Sequence, residues 1–393
     1  MLPRFLVVSL AVLLTLSARA QAPAPASVES RLAALEQQLQ TLTRENEELR
    51  RRLDVPAGPS VVVKPAGKET SVAIGGFLQG QAEFGGASDP RWSGVRDRFF
   101  FRRARLHVAG AFAEHFDFKA ELDFQGNTLG ASTGNTARAN EIFVNWSKWD
   151  AMNVRFGQLK PAFGAEALAS DTKCYTIERS LANDRLTDGR QLALGFAGSW
   201  LDKRLSYYAV LANGNGANVS ANDNSKFQRS ARLAWTPQLS KQAGKLTLGV
   251  DGLWATDAGI SKVDFGFPAN SFMGERAMWG LDAAWSLGRL ELNGEYLHGR
   301  FDRLGASGSQ ESDGWQATAA FFVVPAKLQF VLRREGFDPN TSLGGNTYST
   351  STLGLNIFLK GDDIKFMVDL LAGRGPHAAG EQERIVSRVQ VAF

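Results

Sequence analysis

Cysteine is almost absent: in 393 residues there is one, Cys174. That excludes an intrachain disulfide and leaves too few thiols for a cysteine-based metal site, so Cys174 reads as incidental. Histidine is scarce too, with His107, His115, His298 and His377 as the full set. None lies in a recognisable motif, which argues against an enzyme needing a nucleophile, a base and an orienting group close together. The expected catalytic residues, metal ligands and cofactors are therefore none. A strong excess of one charge sign is also missing. The formal net charge is +4, and loss of a leader carrying Arg4 and Arg19 leaves about +2, too little to imply a nucleic-acid partner. At 44% hydrophobic and 21% charged residues, composition points neither to disorder nor to a helical membrane protein. What the chain does have is glycine (40) and phenylalanine (26).

The first segment reads MLPRFLVVSLAVLLTLSARA, with one positive charge before an apolar run from Phe5 to Leu16, then Ala18-Arg19-Ala20. This is the pattern of a secretory signal over residues 1–20, cleaved after Ala20. The run is shorter than the roughly 20 residues that a spanning helix needs. Residues 21–27, QAPAPAS, form an extended Pro/Ala linker. Leu32, Leu35, Leu39, Leu42, Asn46, Leu49 and Leu53 then recur at spacings of three and four. That is a heptad seam over residues 28–54, with a polar Asn46 in a core position. Ser30 or Ser27 caps its start, and Pro56, Gly58 and Pro59 end it ahead of a second linker at 55–69. A single amphipathic helix is the alternative, but a narrow seam with polar flanks favours a self-associating coil in the periplasm, roughly 35 Å long.

From about residue 70 the texture changes. HFDFKAELDF at 115–124 places Phe116, Phe118, Ala120, Leu122 and Phe124 on one face and Asp117, Lys119, Glu121 and Asp123 on the other. KLTLGVDGLW, LELNGEY, WQATAAFF and IKFMVDL alternate in the same way. A period of two marks strands with one apolar and one polar face. About sixteen such segments begin near 71, 98, 115, 140, 151, 190, 204, 226, 244, 277, 289, 314, 326, 348, 363 and 384. Short links at 113–114, 149–150, 201–203, 287–288, 324–325 and 361–362 alternate with longer polar ones at 85–97, 125–139, 160–189, 213–225, 257–276, 301–313, 336–347 and 373–383. The link at 237–243 is intermediate and falls in the short series. A soluble sandwich has no reason to segregate loop length so regularly, whereas an outer-membrane barrel does. The expected fold is therefore all-β, a transmembrane antiparallel barrel over 70–393 preceded by a helical coiled coil. Phe99 to Phe101, Trp146, Trp149, Trp200, Trp235, Trp254, Trp279 and Trp285 are candidates for its interfacial girdles. Hydrocarbon offers no hydrogen-bond partners, so the sheet must close, and the terminal RIVSRVQVAF must pair with SVAIGGFLQGQAEF near residue 71.

If the apolar face meets lipid, the polar face lines a lumen. On that phase lie Arg103, Arg105, His107, Asp117, Lys119, Glu121, Asp123, Arg155, Arg232, Arg333, Lys365, Arg384 and Arg388. Arg102 and Arg103 are neighbours, so a regular strand cannot aim both inward. Either Arg102 lies near an interface or a β-bulge re-aims it. In an exported barrel, facing guanidiniums suit phosphate or carboxylate anions. The longest link, 160–189, sets Lys160, Lys173, Arg179, Arg185 and, at its exit, Arg190 against Glu166, Asp171, Glu178, Asp184 and Asp188. It is expected to fold into the lumen and narrow it, the alternative being an extracellular flap.

The stretches FFFRRARLHVAGAF, FKAELDF, VRFGQLKPAFGAE, TIERSLAND with GRQLALGFAGSW, and the Phe-ended last strand together resemble the phosphate-selective porin O and P family of Gram-negative outer membranes. The resemblance covers the barrel only. It implies a sixteen-stranded homotrimeric porin with the loop after the fifth strand at the constriction, and an arginine ladder with central lysines that attract anions. Arg102, Arg103 and Arg105 then resemble part of the basic wall, and Lys160 in GQLKPAFG stands where the constriction begins. With Lys119, Arg155, Lys173, Arg179, Arg232 and Arg333 they form the expected pore-lining set. The leading expectation is a passive channel for small anionic or polar solutes, phosphate among them. The alternatives are a tether reaching into the periplasm through the coil toward a periplasmic or cell-wall partner, and a barrel-type hydrolase.

Overall fold

A computed structural model describes residues 61–63, 71–125, 129–130, 136–376 and 380–393. The leader, the first linker, the coiled-coil seam and most of the second linker lie outside the described residues. A short strand β1 (Val61–Val63) precedes sixteen barrel strands. The first eight are β2 (Ser71–Gly85), β3 (Arg98–Ala113), β4 (Phe116–Asp123), β5 (Arg138–Trp149), β6 (Met152–Leu159), β7 (Gln191–Trp200), β8 (Leu205–Ala212) and β9 (Gln228–Trp235). The second eight are β10 (Lys245–Ile260), β11 (Phe272–Leu287), β12 (Leu290–Arg303), β13 (Gln310–Val324), β14 (Leu328–Asp338), β15 (Tyr348–Lys360), β16 (Ile364–Arg374) and β17 (Gln382–Ala392).

Each barrel strand pairs antiparallel with its sequence neighbours, and β17 returns to β2 from Arg384↔Gly85 to Ala392↔Phe77. Closure is finished by the last residue: Phe393 donates to Gly76 O at 2.9 Å and accepts from Gly76 N at 2.8 Å. β1 pairs antiparallel with the start of β2, Val62 opposite Ala73. The registers put Ile385, Val389 and Val391 outside and Arg384, Arg388 and Gln390 inside, as the alternation requires.

Two expectations about boundaries need correction. The links placed at 257–276 and 301–313 are shorter than that, because β10 runs to Ile260, β11 starts at Phe272, β12 runs to Arg303 and β13 starts at Gln310. There the outward residues include Glu275, Arg300, Asp302 and Glu311, so the sheet continues after its apolar alternation has stopped. Ladder hydrogen bonds need no lipid-facing side chains. Of the girdle candidates, Phe99, Phe101, Trp149, Trp200, Trp235, Trp254, Trp279 and Trp285 are exposed outward, Phe99 to 80%. Trp146 is half-buried edge-on against Trp149 at 5.0 Å. Phe100 stands on the opposite phase, under the Arg98 guanidinium at 4.1 Å.

The polar-inside rule fails in one region. Leu253, Ala255, Met278, Leu297, Phe301 and Phe337 point inward from β10, β11, β12 and β14 and are buried with Phe163, Leu181, Leu186, Phe265 and Phe272. The barrel therefore carries a hydrophobic core on one side of its own interior, packed against the link after β6. At about 25 cal/mol per Å2 of apolar surface removed from water, side chains of this kind contribute roughly 1.5–3 kcal/mol each. At the level of this cluster that side of the barrel interior is filled.

Candidate functional site

The link between β6 and β7 begins where Pro161, lacking an N–H, stops the ladder after Leu159. It carries two short helices, α1 (Ala165–Leu168) and α2 (Leu181–Leu186). Ser180 caps α2 by accepting from Asn183 N at 3.2 Å, and its own hydroxyl donates to Glu166 at 2.6 Å. The link crosses the barrel interior. Ala162 N donates to Ser230 Oγ (2.8 Å) and Ala165 N to Glu295 on one wall. On the opposite wall Ile177 N donates to Asp369 (2.6 Å), while Asn356 donates to Tyr175 O (2.8 Å) and Gln390 to Thr172 O (3.1 Å). α2 packs on β12, β13 and β14.

The bulge alternative holds at Arg102. Gln79 pairs with Arg103 and Gly80 with Phe101, so Arg102 is the extra residue and both arginines turn inward. Arg102, Arg103 and Arg105 are each at most 5% exposed. Arg102 donates to both oxygens of Glu178, at 2.9 and 3.1 Å, and Arg388 reaches the same carboxylate at 2.5 Å. Arg103 pairs with Asp171 at 3.2 Å and donates to Gln79 at 2.8 Å. Arg105 lies between Asp171 (2.5 Å) and Asp123 (2.8 Å). Burial by itself pushes the Glu178 and Asp171 carboxyls up. Their arginines more than reverse this and hold both below the ordinary carboxylate range. The basic wall is thus a clamp on the loop.

The other expected residues divide into paired and unpaired groups. Arg179 binds Asp171 at 2.7 Å, Arg333 binds Glu166 at 2.6 Å, and Arg232 grips Asp282 at 2.6 and 2.9 Å with Asp251 at 2.6 Å. Lys119 bridges Glu121 and Glu141, each at 3.0 Å. Three cations make no ion pair with the described residues. Arg155 stacks over Phe143 at 4.4 Å, and the exposed Lys173 has no partner for its ammonium. Lys160 donates only to two carbonyls, Ala167 O (2.7 Å) and Ala169 O (3.2 Å). Burial lowers its pKa to about 7, helped by repulsion from Arg190 and then Arg179 against the pull of Asp171 and Glu141.

Sequence reasoning missed the clamp partners. Arg190 shares Glu141 with Lys119, at 3.2 Å. Asp188 takes Arg276 at 3.0 Å and Lys262 at 3.2 Å. The link after β2 also turns in: Arg91 donates to Arg179 O at 2.7 Å, and Trp92 is buried with Ile177 and Val386. The one available signal was the near balance of charge signs within 160–190. Among the described residues no group of His, Cys, Asp and Glu is arranged to hold a metal.

The family model for phosphate-selective porin O and P matches residues 78–393. Porin O of Pseudomonas aeruginosa is 24% identical, over 72% of this chain and 72% of its own length. Among solved structures, the anion-selective porin from Comamonas acidovorans superposes with a TM-score of 0.60 at 13% identity, covering 83% of this chain and 100% of that one. The outer membrane channel DcaP of Acinetobacter baumannii gives 0.57 at 12% identity, covering 84% and 99%.

Proposed function

The chain belongs to the phosphate-selective porin O and P family, and from that premise we propose that it passes small anions, phosphate-like oxyanions included, by diffusion along the wall from β3 to β9. One observation carries the reading. Around the start of the lumenal loop Lys119, Lys160, Arg103, Arg105, Arg179 and Arg190 share four carboxylates, Glu121, Asp123, Glu141 and Asp171, and Lys160 is held there by neutral carbonyls alone. Asp171 is shared by Arg103, Arg105 and Arg179, and Glu141 by Lys119 and Arg190. A transient anion completes such a cluster, and it leaves again because no single contact is dominant. Arg102, Arg103 and Arg105 act mainly by holding the loop, with the mobile attraction supplied by Lys160, Arg190, Arg179 and Lys119.

Planar-bilayer reversal potentials in a KCl gradient test this. Lys160 is cationic below its pKa of about 7 and neutral above it, so chloride preference is expected to fall from pH 6 to pH 8.5. Lys160→Gln should show the lower preference at every pH, about fivefold in permeability ratio for roughly 1 kcal/mol of lost Coulomb attraction. Lys160→Arg should keep the preference across that range, since guanidinium does not titrate there. A wild-type preference for cations, or a Lys160→Gln channel identical to wild type, would overturn the assignment.

The reading extends to assembly. We place the mature chain in the outer membrane after cleavage at Ala20, as a homotrimer in the bilayer, with residues 28–54 as a coil in the periplasm. A three-stranded coil matches three barrels in symmetry, and Asn46 in the seam sets register. Deleting residues 28–54 is expected to lower the temperature at which the detergent-resistant oligomer dissociates, with unit conductance unchanged. An oligomer as heat-stable as wild type removes the coil from assembly.

A further inference from the structure

A cavity of about 180 Å3 lies between the lumenal loop and the wall formed by β11 to β14. Its charged lining comes from Glu166 and Lys173 on the loop and from Asp282, Glu295 and Arg333 on the wall. Two of these acids are already matched. Asp282 is held by Arg232 at 2.6 and 2.9 Å, and Glu166 by Arg333 at 2.6 Å. The remaining two groups have no counter-ion among the described residues. Glu295 is 6% exposed, and its carboxylate accepts only neutral donors, Ala165 N and Asn183 Nδ2 (3.2 Å); it makes no ion pair among the described residues. Lys173 is exposed and likewise has no ion pair among them. One chamber therefore presents a carboxyl group from the barrel wall and an ammonium from the loop, neither with an ionic partner among the described residues.

A carboxylate taken out of water without a cation is unfavourable, and so is a ligand that brings a second anion to it. A neutral polyol satisfies neither end. A small solute with an ammonium at one end and a carboxylate at the other satisfies both, with Asn293 and Gln316 in the lining to hydrogen-bond its middle. The volume is below the roughly 300–1,000 Å3 of drug-sized pockets, which limits the guest to a few heavy atoms. We propose that this chamber is a binding station for small zwitterions of the α-amino acid class, with Glu295 taking the ammonium and Lys173 the carboxylate. The proposal rests on the reading of the barrel as a diffusion channel. It adds a station whose charge arrangement is distinct from the cationic cluster at Lys160.

Osmotic swelling of liposomes containing the purified full-length protein tests it, using L-alanine, L-lactate and 1,2-propanediol as solutes of similar size. Alanine entry is expected to saturate with concentration, while propanediol entry rises in proportion. Glu295→Gln, which keeps an acceptor for Ala165 N, should raise the half-saturation for alanine about tenfold, the effect of losing one charge-assisted hydrogen bond, and leave lactate entry no lower than in wild type. Lys173→Gln, at an exposed loop position, should raise it as well and stands in should Glu295→Gln fail to assemble. Alanine entry that stays proportional to concentration in the wild type, or that keeps its half-saturation in both variants, overturns the proposal while the channel reading survives. No entry of any of the three solutes overturns both.

Discussion

Ending the chain at Glu381 should abolish insertion: no heat-modifiable, protease-resistant species is expected in the outer-membrane fraction. The missing β17 supplies the partners of β16 from Ile364↔Val391 to Gly373↔Gln382 and of β2 from Arg384↔Gly85 to Ala392↔Phe77. Both strands would be left with bare edges in hydrocarbon, where each unpaired backbone group costs several kcal/mol. Summed along two edges this exceeds the roughly 5–15 kcal/mol by which folded domains are usually stable. The lost strand also carries Arg384, paired with Glu83 at 3.0 Å, and Arg388, so the deletion removes two interior anchors with the seam. Removing Phe393 alone is expected to lower the assembled yield without eliminating it, because only the reciprocal bonds to Gly76 are lost. Gly76→Val should resemble that deletion, since a Cβ there meets the Arg105 carbonyl oxygen and the Phe393 ring. Recovery of the chain ending at Glu381 in membranes with wild-type conductance would contradict the closure argument.

The parts of this structure written in the sequence are those that a solvent dictates. Lipid demands an apolar side chain at every second position, so HFDFKAELDF discloses both β4 and its orientation, with Leu122 outside and Glu121 and Asp123 inside. Short turns and long loops alternate because the two ends of the barrel meet different surroundings. The interior obeys no such rule. Asp171 and Arg105 are 66 residues apart, and nothing local states that they meet, although charge signs and loop length fit a lumenal loop. Leu253, Met278, Leu297 and Phe301 are apolar on an inward phase where polar residues were expected, because α2 and the turn containing Phe265 supply them with an apolar partner. Where both faces of a strand are apolar, periodicity does not distinguish a lipid face from a core. The adjacent Arg102 and Arg103 are an intermediate case. The sequence poses the alternatives, and the register step from Gln79↔Arg103 to Gly80↔Phe101 decides for the bulge.

Replacing Glu178 should have the largest effect on the open channel, and it separates the two roles assigned to arginine. The Glu178 carboxylate receives Arg102 at 2.9 Å and Arg388 at 2.5 Å, and the same residue's carbonyl accepts from Arg333 at 2.9 Å. In Glu178→Gln the carbonyl contact remains, but the buried Arg102 and Arg388 guanidiniums both lose the Glu178 carboxylate. Breaking one side of a buried pair typically costs about 3–5 kcal/mol. The barrel ladder is untouched, so the cost is relieved locally, by the loop leaving the β17–β2–β3 wall and water reaching the arginines. Unit conductance and current noise should therefore rise, and anion preference should increase because the freed cations face the passage. The gel mobility of the folded barrel should stay as in wild type. Arg102→Gln combined with Glu178→Gln should recover part of the quiet, lower-conductance behaviour, since a buried guanidinium is removed together with the carboxylate that held it. Loss of anion preference in Glu178→Gln would instead mean that the clamp arginines are the conducting wall themselves, attracting anions only while the loop holds them in place.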